Sequence, residues 1–152
     1  MSLWRVEGSA TIKAQPRFIE AFVRRIESGL LSGSPARNRY RVTHQSANEL
    51  SFRADGWVTA IAMGFNDVQL TADPSGTVRY SIEYPRWSAY VLALGTAFGV
   101  AFIVITVRLA VPRLAWAIAL FWAFAWPWIL IALYRGPLRR AMERVIAEVD
   151  AK

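Results

Sequence analysis

The chain carries WSAYVLALGTAFGVAFIVITV at residues 87–107 and LAWAIALFWAFAWPWILIALY at residues 114–134, two runs without a charged side chain. At about 1.5 Å of rise per residue, each run as a helix spans the roughly 30 Å hydrocarbon core of a bilayer. A soluble chain of 152 residues has too little other sequence to cover two helices that are apolar on every side. The sequence therefore predicts two transmembrane helices.

The connector between the runs, RLAVPR at residues 108–113, is short enough to require an antiparallel hairpin, with Pro112 closing the first helix. Both chain ends then lie on one side of the membrane. Arginines flank that side more densely than the loop, so the positive-inside rule predicts two spans in a bacterial cytoplasmic membrane with both termini inside. The residues predicted to anchor the spans at the interfaces are Trp87, Arg108, Arg113, Arg135, Arg139 and Arg140.

Residues 1–86 predict a small cytoplasmic α+β head domain. Apolar and polar residues alternate from Trp4 to Ile12, as in a half-buried strand, and an amphipathic helix follows from Pro16 to about Leu31. Four further strand-like runs are expected at residues 39–44, 50–54, 57–70 and 78–84, with Asp55-Gly56 as a tight hairpin turn. The predicted fold is a β-α-β-β-β-β antiparallel sheet with one packed helix, followed by the two-helix transmembrane hairpin at 87–134.

The remaining segment, residues 135–152, predicts a C-terminal amphipathic helix. Its apolar stripe, which includes Leu138, Met142 and Val149, faces away from Arg139, Arg140 and other charged residues. We expect this helix to lie on the cytoplasmic interface of the membrane. Packing on a partner or on the head domain is the alternative.

Five residues of the two runs are candidates for helix packing. A GxxxG motif lets another helix backbone approach closely, Trp122 lies mid-span where an interfacial belt does not explain it, and the proline bends the second helix. The predicted packing residues are Gly95, Gly99, Trp122, Trp126 and Pro127.

A second candidate surface is the face of the sheet opposite the helix. Outward positions on four strands carry the arginines Arg5, Arg39, Arg41, Arg53 and Arg79. They form either a solvated face with cross-strand ion pairs or a docking face for anionic headgroups or an acidic partner subunit. Nucleic acid is disfavoured as a partner, because bases would stack on exposed aromatic side chains. The aromatic residues of the head lie at the alternating strand positions that are predicted to be buried.

Composition argues against a catalytic role. The chain has no cysteine and one histidine, His44, which shares strand parity with Tyr40 and Val42 and is expected on the helix-covered face. No phosphate-binding loop, nucleophile elbow or zinc-protease motif occurs. Neither span contains His, Met or Cys, so no cofactor is expected to be held by the chain's own ligands, although the aromatic second span offers contact to a lipid or pigment.

These features predict a non-catalytic accessory subunit of a larger integral membrane complex, of the respiratory or photosynthetic type. Its expected partners are other integral membrane subunits and the lipid bilayer, with a homo-oligomer as a further possibility. The alternatives are a membrane-anchored lipid-binding or lipid-sensing module, with an apolar pocket between helix and sheet, and a homo-oligomeric regulatory membrane protein.

Overall fold

A computed structural model describes residues 4–13, 15–29, 31, 39–108 and 113–151. The chain divides into two compact units. The head unit comprises Met1–Trp87 together with Gly136–Lys152, and the hairpin unit comprises Ser88–Arg135.

The head unit is built on a five-stranded antiparallel sheet in the order β1-β5-β4-β3-β2. Its strands are β1 Arg5–Thr11, β2 Tyr40–Gln45, β3 Glu49–Ala54, β4 Asp67–Asp73 and β5 Thr77–Glu83. Alternation in the sequence produces this sheet: in β5, Val78, Tyr80 and Ile82 are buried while Arg79 and Glu83 are exposed. The prediction of a five-stranded antiparallel sheet is confirmed.

Helix α1, Gln15–Glu27, covers part of the apolar face of the sheet. Its buried side chains are Phe18, Ile19, Phe22, Val23 and Ile26, which are the apolar stripe of the sequence. The Phe22 ring lies 6.0 Å from the Phe52 ring of β3. The Phe52 ring in turn contacts the Tyr40 ring of β2 edge-on at 5.6 Å. The core of the head unit therefore forms between this helix and the central strands.

The prediction of a single strand over residues 57–70 is wrong, since helix α2 forms at Trp57–Met63 ahead of β4. Gly56, expected in a hairpin turn, is extended (φ −177°, ψ 167°) and precedes this helix. Gly64 ends it in the left-handed region (φ 72°), where its N–H donates to the Ala60 carbonyl at 3.0 Å. A run that is apolar on both faces shows neither the period of a helix nor that of a strand. The sequence pattern therefore did not reveal that this segment is helical.

The C-terminal segment shows the alternative placement predicted for it, packing on the head domain, because Gly136–Lys152 belongs to the head unit. Its apolar stripe is buried at Leu138, Met142, Val145, Ile146 and Val149. The Arg25 guanidinium pairs with Glu148, and the backbone N–H of Lys13 donates to Asp150 Oδ1 at 2.8 Å. The segment thus gives the apolar side of the sheet a second covering helix beside α1.

Two long helices complete the chain. The first is α3, Pro85–Arg108. The second consists of α4 Arg113–Leu120, a π-helical turn Phe121–Ala125 and α5 Trp126–Asp150. Both are long and apolar enough to cross a membrane, by length and composition. Residues 109–112, which include the predicted helix-closing Pro112, lie outside the described residues.

Candidate interaction surfaces

Two glycines of α3 let the helices of the hairpin unit approach at backbone distance. A Cβ on Gly99 would lie 2.2 Å from the Ala123 Cβ, and one on Gly95 would lie 2.3 Å from Pro127 Cγ. Gly95 faces Pro127, and Gly99, one turn later in α3, faces Ala123, one turn earlier in the second helix. The two helices therefore run antiparallel. The sequence predicts that this glycine face receives another helix. The helix that occupies it is the chain's own, which leaves these glycines unavailable to a partner.

The π-helical turn adapts the second helix to its proline. Pro127 has no N–H, and a proline ring collides with the carbonyl four residues back in a regular α-helix. Here the Trp126 N–H donates to the carbonyl of Phe121, five residues back, so the helix widens just before the proline. Pro127 is thereby accommodated against Gly95.

An aromatic groove runs beside this contact in the hairpin unit. It has a volume of about 350 Å³, and its side chains, all hydrocarbon or aromatic, include Leu94, Phe98, Phe102, Trp122, Trp126 and Leu130. The Trp122 and Trp126 rings lie 5.0 Å apart at 58°, and Phe121 lies 6.2 Å from Trp126. Both tryptophans predicted as packing residues thus line one concave apolar surface.

Apolar side chains also cover the outside of the hairpin unit. Only 11% of the apolar window of α3 and 22% of that of the second helix are buried within the chain. Among the most exposed side chains are Phe98 at 65%, Phe124 at 65% and Leu133 at 63%. A contiguous apolar surface of this kind is rare on a soluble monomer.

Four of the five arginines of the predicted docking face are paired with acids of the same face. The pairs, with their N–O separations, are Arg5–Glu7 at 3.0 Å, Arg41–Asp55 at 3.1 Å, Arg79–Asp73 at 3.2 Å and Arg53–Asp67. The fifth, Arg39, is exposed. Cations already neutralised by neighbouring acids attract an anionic surface weakly, which favours the solvated ion-pair alternative for this face.

The predicted interfacial anchors divide between the two units. Two act inside the head unit: Trp87 meets Tyr84 edge-on at 6.2 Å, and Arg139 Nε donates to Glu143 Oε1 at 2.8 Å. Arg139 thus pairs one turn along its own helix, with its side chain 56% exposed. Of the others, Arg108 and Arg140 are exposed, Arg113 begins α4, and Arg135 is the last residue of the hairpin unit.

A polar cluster that the sequence did not predict joins the C-terminal segment to the sheet. The Tyr80 hydroxyl donates to Glu143 Oε1 at 3.2 Å, the same oxygen that accepts from Arg139. Burial, with the adjacent Glu143 carboxylate, raises the pKa of Tyr80 to about 12. The hydrogen bond from Arg139 lowers the pKa of Glu143. At neutral pH the Tyr80 hydroxyl is therefore neutral and donates to a charged Glu143 carboxylate, which joins the C-terminal segment to the sheet.

Gly8 of β1 makes room for this cluster. A Cβ there would lie 2.3 Å from the Tyr80 hydroxyl oxygen. The tyrosine therefore reaches Glu143 across a strand position that only glycine can occupy without displacing it.

The prediction that His44 faces the covered side of the sheet is wrong. The pairing of β2 with β3 shifts register between Val42 and His44, and such a bulge reverses the parity of the residues that follow. The His44 side chain is 60% exposed, with its Nε2 4.0 Å from Glu49 Oε2. Among the described residues, no group of three or more His, Cys, Asp or Glu could hold a metal ion, and the sequence has no cysteine.

The sequence did not predict the exposed apolar surface on α2 of the head unit. Trp57 and Val58 of α2 are 58% and 69% exposed, because the segment is a surface helix and not a buried strand. No periodic signal marks it in the sequence, because residues 57–63 are apolar at every position except Thr59.

Comparisons with models of protein families, with curated proteins and with solved structures gave no match.

Proposed function

We propose that the chain is an integral membrane protein whose hairpin unit crosses the bilayer twice, and that it serves as a non-catalytic accessory subunit of a larger membrane complex. The observation that carries the proposal is the exposed apolar surface of the hairpin unit, on which Phe98 and Phe124 are each 65% exposed. Contact of such a surface with water is unfavourable, whereas contact with lipid or with neighbouring transmembrane helices is favourable.

Charge supports a topology with both chain ends in the cytoplasm. Five arginines flank the two runs on the side of the termini, against two between the runs. The five are Arg86, Arg135, Arg139, Arg140 and Arg144, and the two are Arg108 and Arg113. An excess of arginine on the side of the termini is the pattern of cytoplasmic flanks.

The aromatic groove is the surface that we assign to a partner helix. The GxxxG face is already filled by Ala123 and Pro127 of the same chain, so a partner must be met elsewhere. Large, rigid rings supply contact area at small cost in side-chain entropy, and here Phe98 and Trp122 present them on both sides of a groove of about 350 Å³.

The rival proposal of a lipid-binding head receives less support. A lipid pocket would lie between the sheet and its helices, where Phe22 and Met142 have no exposed surface and Phe52 is 1% exposed. An acyl chain would have to displace these side chains from a close-packed core.

Purification from native membranes in a mild detergent, followed by mass analysis of the intact assembly, tests the proposal. An accessory subunit is expected to migrate with other integral membrane proteins in fixed proportion. Recovery of the chain alone contradicts the proposal. Recovery of a homo-oligomer contradicts it in favour of the regulatory alternative.

A matched pair of variants tests the groove. Phe98 lines it and Phe124 is not among its lining residues, although both are 65% exposed. We expect Phe98→Ala to lower co-purification about tenfold, which corresponds to roughly 1.4 kcal/mol, while Phe124→Ala changes it little. Equal effects of the two variants would remove the groove from the proposal.

A further inference from the structure

Helix α2 of the head unit presents an apolar face to the outside. Trp57 is 58% exposed and Val58 69% exposed, and one turn later Ala62 is exposed and Ile61 half-buried. The inward side holds Thr59 and Ala60. Among the described residues of the head unit, Trp57 and Val58 are the large apolar side chains that are exposed, so this helix is a local exception and not part of a generally apolar surface.

One buried side chain, Asn66, which is 1% exposed, binds α2 to the rest of the head unit. Its Nδ2 donates to the Ala60 carbonyl of α2 at 3.1 Å, and its Oδ1 accepts from the backbone N–H of Arg86 at 2.5 Å. Arg86 is the second residue of α3. A single amide group therefore connects the exposed helix to the first turn of the first long apolar helix.

A second contact brings the same two elements together. The Arg86 guanidinium donates to the carbonyl of Ala54, the last residue of β3, at 3.3 Å. Only Asp55 and Gly56 separate this residue from α2. The next residue of α3, Trp87, begins the uncharged run, so α2 lies beside the point at which that run starts.

We propose that α2 inserts its apolar face into the headgroup region of the bilayer that α3 crosses, and so attaches the head unit to the membrane surface at a second point. This inference rests on the proposed function, since it requires that α3 enter lipid. Tryptophan is enriched at this depth because its ring is apolar and its N–H is polar. A short helix with exposed Trp and Val suits the boundary between headgroups and acyl chains.

Charge near α2 fits the same occupant. The backbone N–H of Arg39 donates to Thr59 Oγ1 on the inward side of α2 at 3.4 Å, and the Arg39 residue is exposed. The long side chain of an exposed arginine beside a helix that rests on lipid can extend to the lipid phosphates. The combination of Trp57, Val58 and Arg39 is that of a helix resting on an anionic lipid surface.

Single-cysteine labelling of the full chain tests the inference, because the sequence contains no cysteine. Val58→Cys probes the exposed face of α2. Gln69→Cys, on the exposed side of β4, serves as the control in water, and Val100→Cys, in the middle of the first run, serves as the control in lipid. Each variant carries an environment-sensitive fluorophore in vesicles of phosphatidylethanolamine and phosphatidylglycerol, with aqueous iodide and headgroup-labelled or chain-labelled lipids as quenchers.

We expect the label at position 58 to emit at shorter wavelength than the label at position 69, and to be quenched most by headgroup-labelled lipid. The label at position 100 should be quenched most by chain-labelled lipid. Adding Trp57→Ser to the Val58→Cys variant should remove most of the shift at position 58, while Trp57→Phe should keep part of it.

The outcomes separate this inference from the proposed function. A label at position 58 that behaves like that at position 69, with position 100 in lipid, overturns the inference and leaves the membrane hairpin intact. A label at position 100 in water overturns both. A label at position 58 shielded from lipid and iodide alike means that protein covers α2, which also overturns the lipid assignment.

Discussion

Replacement of Gly99 by alanine should force apart the two helices of the hairpin unit. The new Cβ would lie 2.2 Å from the Ala123 Cβ and 2.5 Å from its Cα. Ordinary contact begins at 3.4 Å, so the helices must separate locally by about 1 Å. A radial gap of this size forfeits roughly a quarter to a half of the dispersion energy of each contact that it opens.

The expected change in the free energy of unfolding combines two effects of opposite sign. Overpacking typically costs about 1–3 kcal/mol, and replacing glycine by alanine inside a helix returns about 1 kcal/mol. The difference of these two terms is a destabilisation of the hairpin unit by up to about 2 kcal/mol for Gly99→Ala. Adding Ala123→Gly should restore only part of the loss, because the Ala123 Cα remains 2.5 Å from the new atom.

Unfolding in mixed micelles by titration with sodium dodecyl sulfate, followed by circular dichroism, measures this difference. Ala97→Gly is the matched control, because Ala97 is exposed on the same helix and reports the intrinsic helix cost of glycine in the same detergent. If Gly99→Ala raises stability by as much as Ala97→Gly lowers it, no close helix contact exists at Gly99, and the glycine face is open to a partner.

Three further predictions concern the head unit. Asn66→Leu removes the two hydrogen bonds that join α2 to α3 and should lower the free energy of unfolding by about 2–3 kcal/mol in thermal melts. Tyr80→Phe should cost about 1 kcal/mol at neutral pH, where the hydroxyl donates to Glu143. The pKa of Tyr80 rises from 10.0 to about 12 on folding. The stability that the hydroxyl adds is therefore complete below pH 10 and is lost as the pH rises to about 12. The melting curves of wild type and variant should converge over that window. Glu148→Gln weakens the pair with Arg25 and should speed proteolysis of the C-terminal segment.

Each of these predictions has an opposing result. An unchanged melting temperature for Asn66→Leu would mean that α2 is held by other contacts. A constant difference between wild type and Tyr80→Phe from pH 9 to 12 would contradict the raised pKa of the tyrosine. Unaltered cleavage of Glu148→Gln would show that the buried apolar stripe alone holds the C-terminal helix.

Local alternation was sufficient to predict the sheet, because Val78, Tyr80 and Ile82 could be buried together in only one register. Prediction from alternation failed wherever one residue changed which side of the sheet the following side chains face, or changed a strand into a helix. The bulge before His44 turned that side chain outward. The left-handed Gly64 completed a helix in a run that has no clear period. Both effects depend on backbone geometry that the hydrophobic pattern does not encode.

Packing between distant segments was the other limit of prediction. The GxxxG spacing predicted that another helix packs on Gly95 and Gly99, but the pattern is the same whether that helix belongs to this chain or to a partner. The amphipathic pattern of residues 136–152 likewise fits lipid and protein equally. What decides between them is contact with the head unit, where Leu138 and Met142 are buried and Glu148 pairs with Arg25.

Alkaline carbonate extraction of native membranes tests most directly whether the hairpin unit lies within the bilayer. A hairpin that crosses lipid twice should keep the whole chain in the membrane pellet at high pH, with none released. Recovery of the folded chain in the supernatant, soluble without detergent, would contradict the transmembrane assignment and every function proposed from it.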